Sequence, residues 1–299
     1  MNIIIYGAGA IGSLFGAYLS KNNNVLLIGR KPHVKSIKKN GLIIKGKTNL
    51  KTKIEAKESA YGLNFKPDLL ILTVKSYDTE PAIVQAKKLI KENTTVLSLQ
   101  NGLDNIDKIK KHICSDKIIA GVTTHGAFFP EPGIIVHTGK GGTVLGELNG
   151  EKTKRIINII NCFNKSGIET IFSKNILKEI WYKTLINSSI NPLTAIFNCK
   201  NGYLLKNPIL ENLLDKICLE SSNIAMANDV DVKYLDALKK TKDVVRKTSD
   251  NYSSMLQSIK KDGKTEIDSI NGKLVEFGKK HKVDTLLNEI LVYCVKSLT

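Results

Sequence analysis

Lys183, Asn187 and Asn191 stand at i, i+4 and i+8 within residues 181–204, WYKTLINSSINPLTAIFNCKNGYL. Four residues of helix turn by about 400°, so these side chains would share one face, drifting by about 40° per step. That face would carry an ammonium and two amides, with Leu185, Ile186 and Ile190 supplying apolar contacts nearby. An ammonium can stabilise an oxyanion and can give it a proton. Asn is a poor helix former, so an aligned row of this kind is unusual on a surface. Spacing alone leaves two readings open: a polar ligand site, or an exposed helix face in a chain rich in Lys and Asn. Residues 250–270 add Ser253, Ser254, Glu266 and Asp268 among Met255, Leu256 and Ile267. Taken singly, a Ser or Glu there reads as a cap or a solvated residue.

A second motif lies at the N-terminus. The apolar run NIIIY at residues 2–6 has the character of a strand buried on both faces of a parallel sheet. It leads into Gly7-Ala8-Gly9-Ala10-Ile11-Gly12, then a helical stretch at 13–21 and a further apolar run at 25–28. A G-x-G-x-x-G that follows a strand and opens a helix is the fingerprint of a dinucleotide site. Gly7 permits the tight turn, Gly9 lets the backbone approach a pyrophosphate, and Gly12 packs helix on strand. The free N–H groups and partial positive charge of the helix N-terminus then face the phosphates. After the second strand the chain reads Ile28-Gly29-Arg30-Lys31, with no carboxylate to hold a ribose 2′-hydroxyl. Arg30 can form a charge-assisted fork with a 2′-phosphate, which favours NADP over NAD. The alternative is that Arg30 and Lys31 are two more solvated cations.

The elements that position these residues follow an α/β pattern. Strands are expected at 69–74, 95–99, 118–122 and 168–172, and helices at 79–91 and 155–164. Runs at 134–136 and 143–145, with Gly139, Gly141 and Gly142 between them, suggest a hairpin. Ligands bind at the C-terminal ends of strands in such sheets, which places Lys75 and Asn101 toward the cofactor. From about residue 173 long helical segments replace the alternation. The expectation is an α/β Rossmann-like dinucleotide-binding domain over residues 1–170, followed by an all-α substrate-binding domain over 171–299.

Composition limits the alternatives. The 299 residues carry 45 Lys+Arg and 28 Asp+Glu, a net charge of +17. The excess is mostly lysine, spread thinly over the first 170 residues, with no Arg-rich block and no aromatic-interleaved basic run. That reads as solvated surface, not as a nucleic-acid footprint. The five cysteines form no CxxC pair and the five histidines no cluster, so no metal site is expected and a reduced compartment is. Residues 1–20 lack charge, but they lack a basic n-region as well and are broken by four glycines; with no other apolar run of about 18 residues, no membrane span is expected. No GxSxG elbow supports a hydrolase. A cytoplasmic protein, monomeric or homodimeric, is the expectation.

Several ordered motifs carry a resemblance over essentially the whole chain: GAGAIG at 7–12, VKSYD at 74–78, QNGLDN at 100–105, TTHGAF at 123–128, HTGKGG at 137–142, KTLINSSINPLTAIFNCKNG at 183–202, SSMLQSI at 253–259 and TEIDSINGKLVEFGKKH at 265–281. In these the sequence resembles the ketopantoate reductase (2-dehydropantoate 2-reductase) family. The resemblance implies NADPH-dependent reduction of 2-dehydropantoate to (R)-pantoate, a step toward pantothenate and coenzyme A. It implies that Lys183 is the proton donor and that Glu266 is the acidic residue near cofactor and substrate. Asn101, Asn187, Asn191, Asn201 and Ser254 would meet the substrate. Gly7, Ala8, Gly9, Ala10, Ile11, Gly12, Arg30, Lys75, Asn101, Ala127 and Glu266 would meet NADPH. The nearest rival is a reductase of another branched or aromatic 2-keto acid on the same scaffold; a non-catalytic dinucleotide-binding regulator is another, which would have no need of Lys183, Ser254 and Glu266 together.

Overall fold

The computed structural model describes the backbone of residues 1–299 and every side chain except that of Asp262. The chain divides into two compact units. One comprises Met1–Gln100 and Asn105–Leu177, the other Asn101–Asp104 and Lys178–Thr299.

The first unit runs β1 (Asn2–Tyr6), α1 (Ala10–Leu19), β2 (Asn24–Ile28), α2 (Lys31–Asn40), β3 (Leu42–Gly46), β4 (Leu50–Thr52), β5 (Glu55–Lys57), β6 (Leu69–Leu72), α3 (Thr79–Ala86), β7 (Thr95–Ser98), α4 (Asn105–Lys110), β8 (Ile118–Thr123), β9 (Gly126–Glu131), β10 (Ile134–Gly139), β11 (Thr143–Glu147), α5 (Lys154–Lys165) and β12 (Thr170–Phe172). Eight strands form one sheet in the order β12-β11-β8-β7-β6-β1-β2-β5. All its pairings are parallel except β8 with β11. The central strands β1, β6 and β7 are buried along nearly their whole length, as a sheet covered on both faces requires. The chain leaves β1 first toward β2 and later returns on its other side as β6. Strand order therefore reverses at β1, the switch point at which open α/β sheets hold ligands. Phe15, Leu14, Leu19, Ile3, Ile5, Leu27 and Phe163 centre the core beneath α1 and α5.

Two expectations need correction here. The runs at 134–136 and 143–145 do not form a hairpin: β10 pairs with β9 and β3 in a separate four-stranded sheet, β4-β3-β10-β9, whereas β11 joins the large sheet beside β8. The glycines between them let the chain cross from one sheet to the other. A Cβ on Gly141 would lie 2.4 Å from the Thr124 carbonyl carbon, so the crossing passes where only glycine fits. Helix α1 begins at Ala10, not residue 13, because Gly9 already acts as its N-cap.

In the second unit α6 (Ile176–Ile196, entering from the first unit's last two residues) is followed by α7 (Tyr203–Lys206), α8 (Pro208–Ala227), α9 (Tyr234–Lys247), α10 (Ser254–Asp262), a π-helical turn (Asp268–Gly272), α11 (Lys273–Lys280) and α12 (Leu286–Lys296). No strand occurs in it among the described residues. Helix α6 is its axis. Leu185 packs with Cys218, Ala225, Val232 and Ala237. Ile190 and Leu193 pack with Leu204, Leu214, Ile217 and Val245. Ala195 packs with Met255, Leu256, Ile267 and Val295. A helix enclosed on three sides has no single apolar stripe. Among the described residues no helix is long and apolar enough to cross a membrane.

Candidate active site

The glycine turn is held by backbone bonds and by one side-chain hydroxyl. Gly7 and Ala8 both donate to Ile28 O, at 3.0 and 2.8 Å, tying the turn to the end of β2. Gly7 has φ +113°, and a Cβ there would lie 2.5 Å from the Val74 nitrogen. A Cβ on Gly12 would lie 2.2 Å from Gly7 O, which also accepts from Thr73 Oγ1 at 2.8 Å. Gly9 differs: its only neighbour on that side is Gly7 O at 4.0 Å. The turn is thus packed on its inner side and open above Gly9. No side chain caps α1, and Ser13 N–H, bonded to Gly9 O at 2.9 Å, is the first amide to find its helical acceptor. An open cradle under uncapped amides at a switch point fits the pyrophosphate of a dinucleotide. Ala8, Ala10 and Ile11 complete this turn.

Three other first-unit residues expected at the cofactor stand apart from the turn in sequence. Arg30 is exposed at the end of β2 and caps α2 with extended backbone (φ −66°, ψ 144°). Lys75 is half-buried after β6, on a loop braced by Gln100, whose Nε2 donates to Val74 O and Thr79 Oγ1 at 2.9 and 2.7 Å. Ala127 lies on β9 of the small sheet, opposite His137, and packs on the core under α1.

In the second unit Lys183, Asn187 and Asn191 lie on the single helix α6. Two serine hydroxyls of this helix are satisfied within it. Ser188 and Ser189 both donate to Leu185 O, at 2.8 and 3.0 Å, the back-bonding that buried Ser and Thr use in helices. The Lys-Asn-Asn row is not. Among the described residues Asn191, only 6% exposed, has no partner for its side-chain amide.

Lys183 is half-buried. Burial lowers its pKa from 10.5 to about 8, and the charge of Glu266 opposes the shift. Glu266, 7% exposed, accepts from Asn101 Nδ2 at 3.3 Å. Asn101 is held by a close approach of its loop to the π-helical turn. Leu103 N donates to Ser269 O at 3.0 Å and Ser269 Oγ to Asp104 Oδ2 at 3.1 Å. Gly102 has φ +99°, and a Cβ there would meet Ser269 O at 2.7 Å. So Asn101, Glu266 and the charge field at Lys183 come together.

Asn201 and Ser254 are brought to the C-terminal end of α6. Thr194 Oγ1 donates to Ser253 Oγ at 2.7 Å, and Ser253 Oγ caps α10 by accepting from Leu256 N. Ser254 is the next residue and is exposed. Asn201 N donates to Asn251 O and Gly202 N to Ser249 O, each at 3.0 Å. Residues 249–254 thus run beside both Asn201 and the end of α6.

Two residues escaped the sequence reading. Pro192 lies inside the continuous α6 and has no N–H for Ser188 O. Asn271 of the π-helical turn fills the gap, its Nδ2 donating to Ser188 O at 3.1 Å and to Asn288 Oδ1 at 2.9 Å. Thr248 receives Asn201 Nδ2 at 2.9 Å. Pro192 inside a helix was the one local signal for the first; a chain rich in Asn and Thr offers none for the second.

The sequence matches the family description Ketopantoate reductase PanE/ApbA over residues 3–150, and its C-terminal counterpart, Ketopantoate reductase PanE/ApbA C terminal, over 175–299. A 2-dehydropantoate 2-reductase of Pyrococcus horikoshii is 41% identical over 99% of this chain and 97% of its own length. That of Halobacterium salinarum is 31% identical over 95% and 94%. Among solved structures, a D-mandelate dehydrogenase with NADH and anilino(oxo)acetate superposes with a TM-score of 0.94 at 29% identity, over 100% of this chain and 98% of that one. A PanE/ApbA family ketopantoate reductase from Ralstonia eutropha JMP134 gives 0.90 at 27%, with the same coverage.

Proposed function

The chain belongs to the ketopantoate reductase PanE/ApbA family, and from that premise we propose that it reduces 2-dehydropantoate to (R)-pantoate with NADPH, Lys183 giving the proton. The observation that carries this reading is the state of Lys183: an ammonium with pKa about 8, on a helix face with two amides, in the field of a buried carboxylate. An ordinary lysine holds its proton too tightly to be a good acid near neutrality; one lowered to about 8 is matched to the task.

The glycine turn 7–12 would hold the pyrophosphate, Arg30 the 2′-phosphate, and Lys75, Asn101, Ala127 and Glu266 further parts of the cofactor. When bound, the reduced nicotinamide supplies a hydride to the keto carbon. Negative charge then develops on the carbonyl oxygen. Lys183 stabilises that charge and delivers its proton to the same oxygen, which becomes the C2 hydroxyl of the product. Glu266 keeps Lys183 charged until that moment. Asn101 holds Glu266 by its Nδ2, orienting the carboxylate. Asn187, Asn191, Asn201 and Ser254 bind the carboxylate and hydroxyl of the substrate. The free state of all five cysteines supports work in a reducing cytoplasm.

The likeness to a D-mandelate dehydrogenase favours one second reading, reduction of an aromatic 2-keto acid. Initial rates of NADPH oxidation with 2-dehydropantoate and with benzoylformate separate the two, NADH being run in parallel. Higher kcat/KM with 2-dehydropantoate and NADPH is expected; preference for benzoylformate overturns the proposal.

A further inference from the structure

We propose that His33 is a positioning residue for the choice between NADPH and NADH: its imidazole joins the cap of α2, where Arg30 stands, to the helix that follows the glycine turn. The inference rests on the reading above, in which Arg30 receives the 2′-phosphate.

His33 is 3% exposed, and both of its ring nitrogens are engaged. Gly133 N donates to Nδ1 at 2.8 Å. A ring nitrogen that accepts carries no proton, so Nε2 carries the proton of the ring. Nε2 lies 2.9 Å from Ser13 Oγ and donates to it. Ser13 is fully buried and follows Gly12, and its own N–H closes the first turn of α1 over Gly9 O. One ring thus holds α1 on one side and the turn between β9 and β10 on the other. It also packs on Phe129 of β9, with ring centroids 4.7 Å apart.

What the ring fixes is Arg30. Arg30 O accepts from His33 N at 3.0 Å and from Val34 N at 3.1 Å, so the cap and the first turn of α2 move as one. In that turn Lys31 and Pro32 are exposed, whereas His33 is buried. Further along α2, Ser36 Oγ donates to Pro132 O at 2.9 Å and holds the same turn of the small sheet. Of these two side chains only the imidazole bonds to α1, and so it ties Arg30 to the turn that would hold the pyrophosphate. Both phosphate groups belong to one ligand, which sets the distance between them. A guanidinium fork is directional, so a shift of α2 against α1 weakens the grip on the 2′-phosphate. NADH has no such phosphate and does not feel the shift.

The test measures kcat/KM for NADPH and for NADH in wild type, His33→Leu and Ser13→Ala, and in each of these combined with Arg30→Ala. His33→Leu keeps apolar bulk and loses both bonds. It should lower the NADPH-to-NADH ratio about tenfold, through KM for NADPH with kcat little changed. Ser13→Ala breaks the bond to α1 alone and should lower the ratio in the same direction, which keeps the proposal testable if His33→Leu does not fold. In the Arg30→Ala background neither change should lower the ratio further, because His33 acts through Arg30. Calorimetric titration should show weaker binding of adenosine 2′,5′-bisphosphate in both variants and unchanged binding of 5′-AMP. A wild-type ratio in either folded variant, an equal loss on both cofactors, or additivity with Arg30→Ala overturns the positioning role. A wild type without preference for NADPH, its ratio unmoved by Arg30→Ala, overturns the reading of Arg30 instead.

Discussion

The lowered pKa of Lys183 makes a quantitative demand on the pH profile. With a pKa of about 8, the fraction of Lys183 protonated is about 0.9 at pH 7 and about 0.1 at pH 9. If the ammonium is the proton donor, kcat/KM for ketone reduction should fall about tenfold across that interval. At the ordinary value of 10.5 the same lysine would stay about 97% protonated at pH 9, and the profile would be flat. The assay is the initial rate of NADPH oxidation at limiting keto acid, with NADPH affinity measured separately by fluorescence at each pH. A profile flat to pH 9 refutes the assignment. Replacing Glu266 sharpens the test, because its negative charge is the one effect that raises the Lys183 pKa against burial. Glu266→Gln should move the alkaline limb to lower pH. A limb that stays put or moves upward refutes the electrostatic pairing, even if the variant is slow for other reasons.

The same shift has a stability consequence. The folded pKa lies below the unfolded one, so the unfolded chain binds the extra proton between pH 8 and 10.5, and folding is weakened as pH falls through that window and stays weakened below it. Lys183→Met should therefore abolish turnover, retain NADPH binding and stabilise the fold at neutral pH by up to about 3 kcal/mol; with about 2–4 °C per kcal/mol, an unchanged or lowered Tm contradicts the burial account. Arg30→Ala should raise KM for NADPH by about ten- to a hundredfold and leave KM for NADH nearly unchanged; steady-state kinetics with both cofactors decide it. Gly12→Ala drives a methyl to 2.2 Å from Gly7 O, so titration should show dinucleotide binding lost and thermal unfolding a loss of about 1–3 kcal/mol. Asn271→Leu strips the donor from Ser188 O and should cost about 1–3 kcal/mol; Pro192→Ala in that background should recover part of it by restoring the helical N–H, as a double-mutant cycle would reveal.

What could be read from the sequence was what is local. The glycine turn is six consecutive residues whose spacing states its own geometry, and Lys183, Asn187 and Asn191 share a helix, so periodicity alone aligns them. The second sheet escaped because its strands are short and its partners distant: β3 finds β10 about ninety residues on, and the glycines after β10 read equally well as a hairpin turn or as a crossing. Helix α6 gave no amphipathic signal because it is packed on three sides, and burial on all sides erases the stripe by which a surface helix is recognised. The deeper limit is one of pairing. Asn101 is bonded to Glu266 across 165 positions, and Asn271 to Ser188 across 83; neither spacing carries a period.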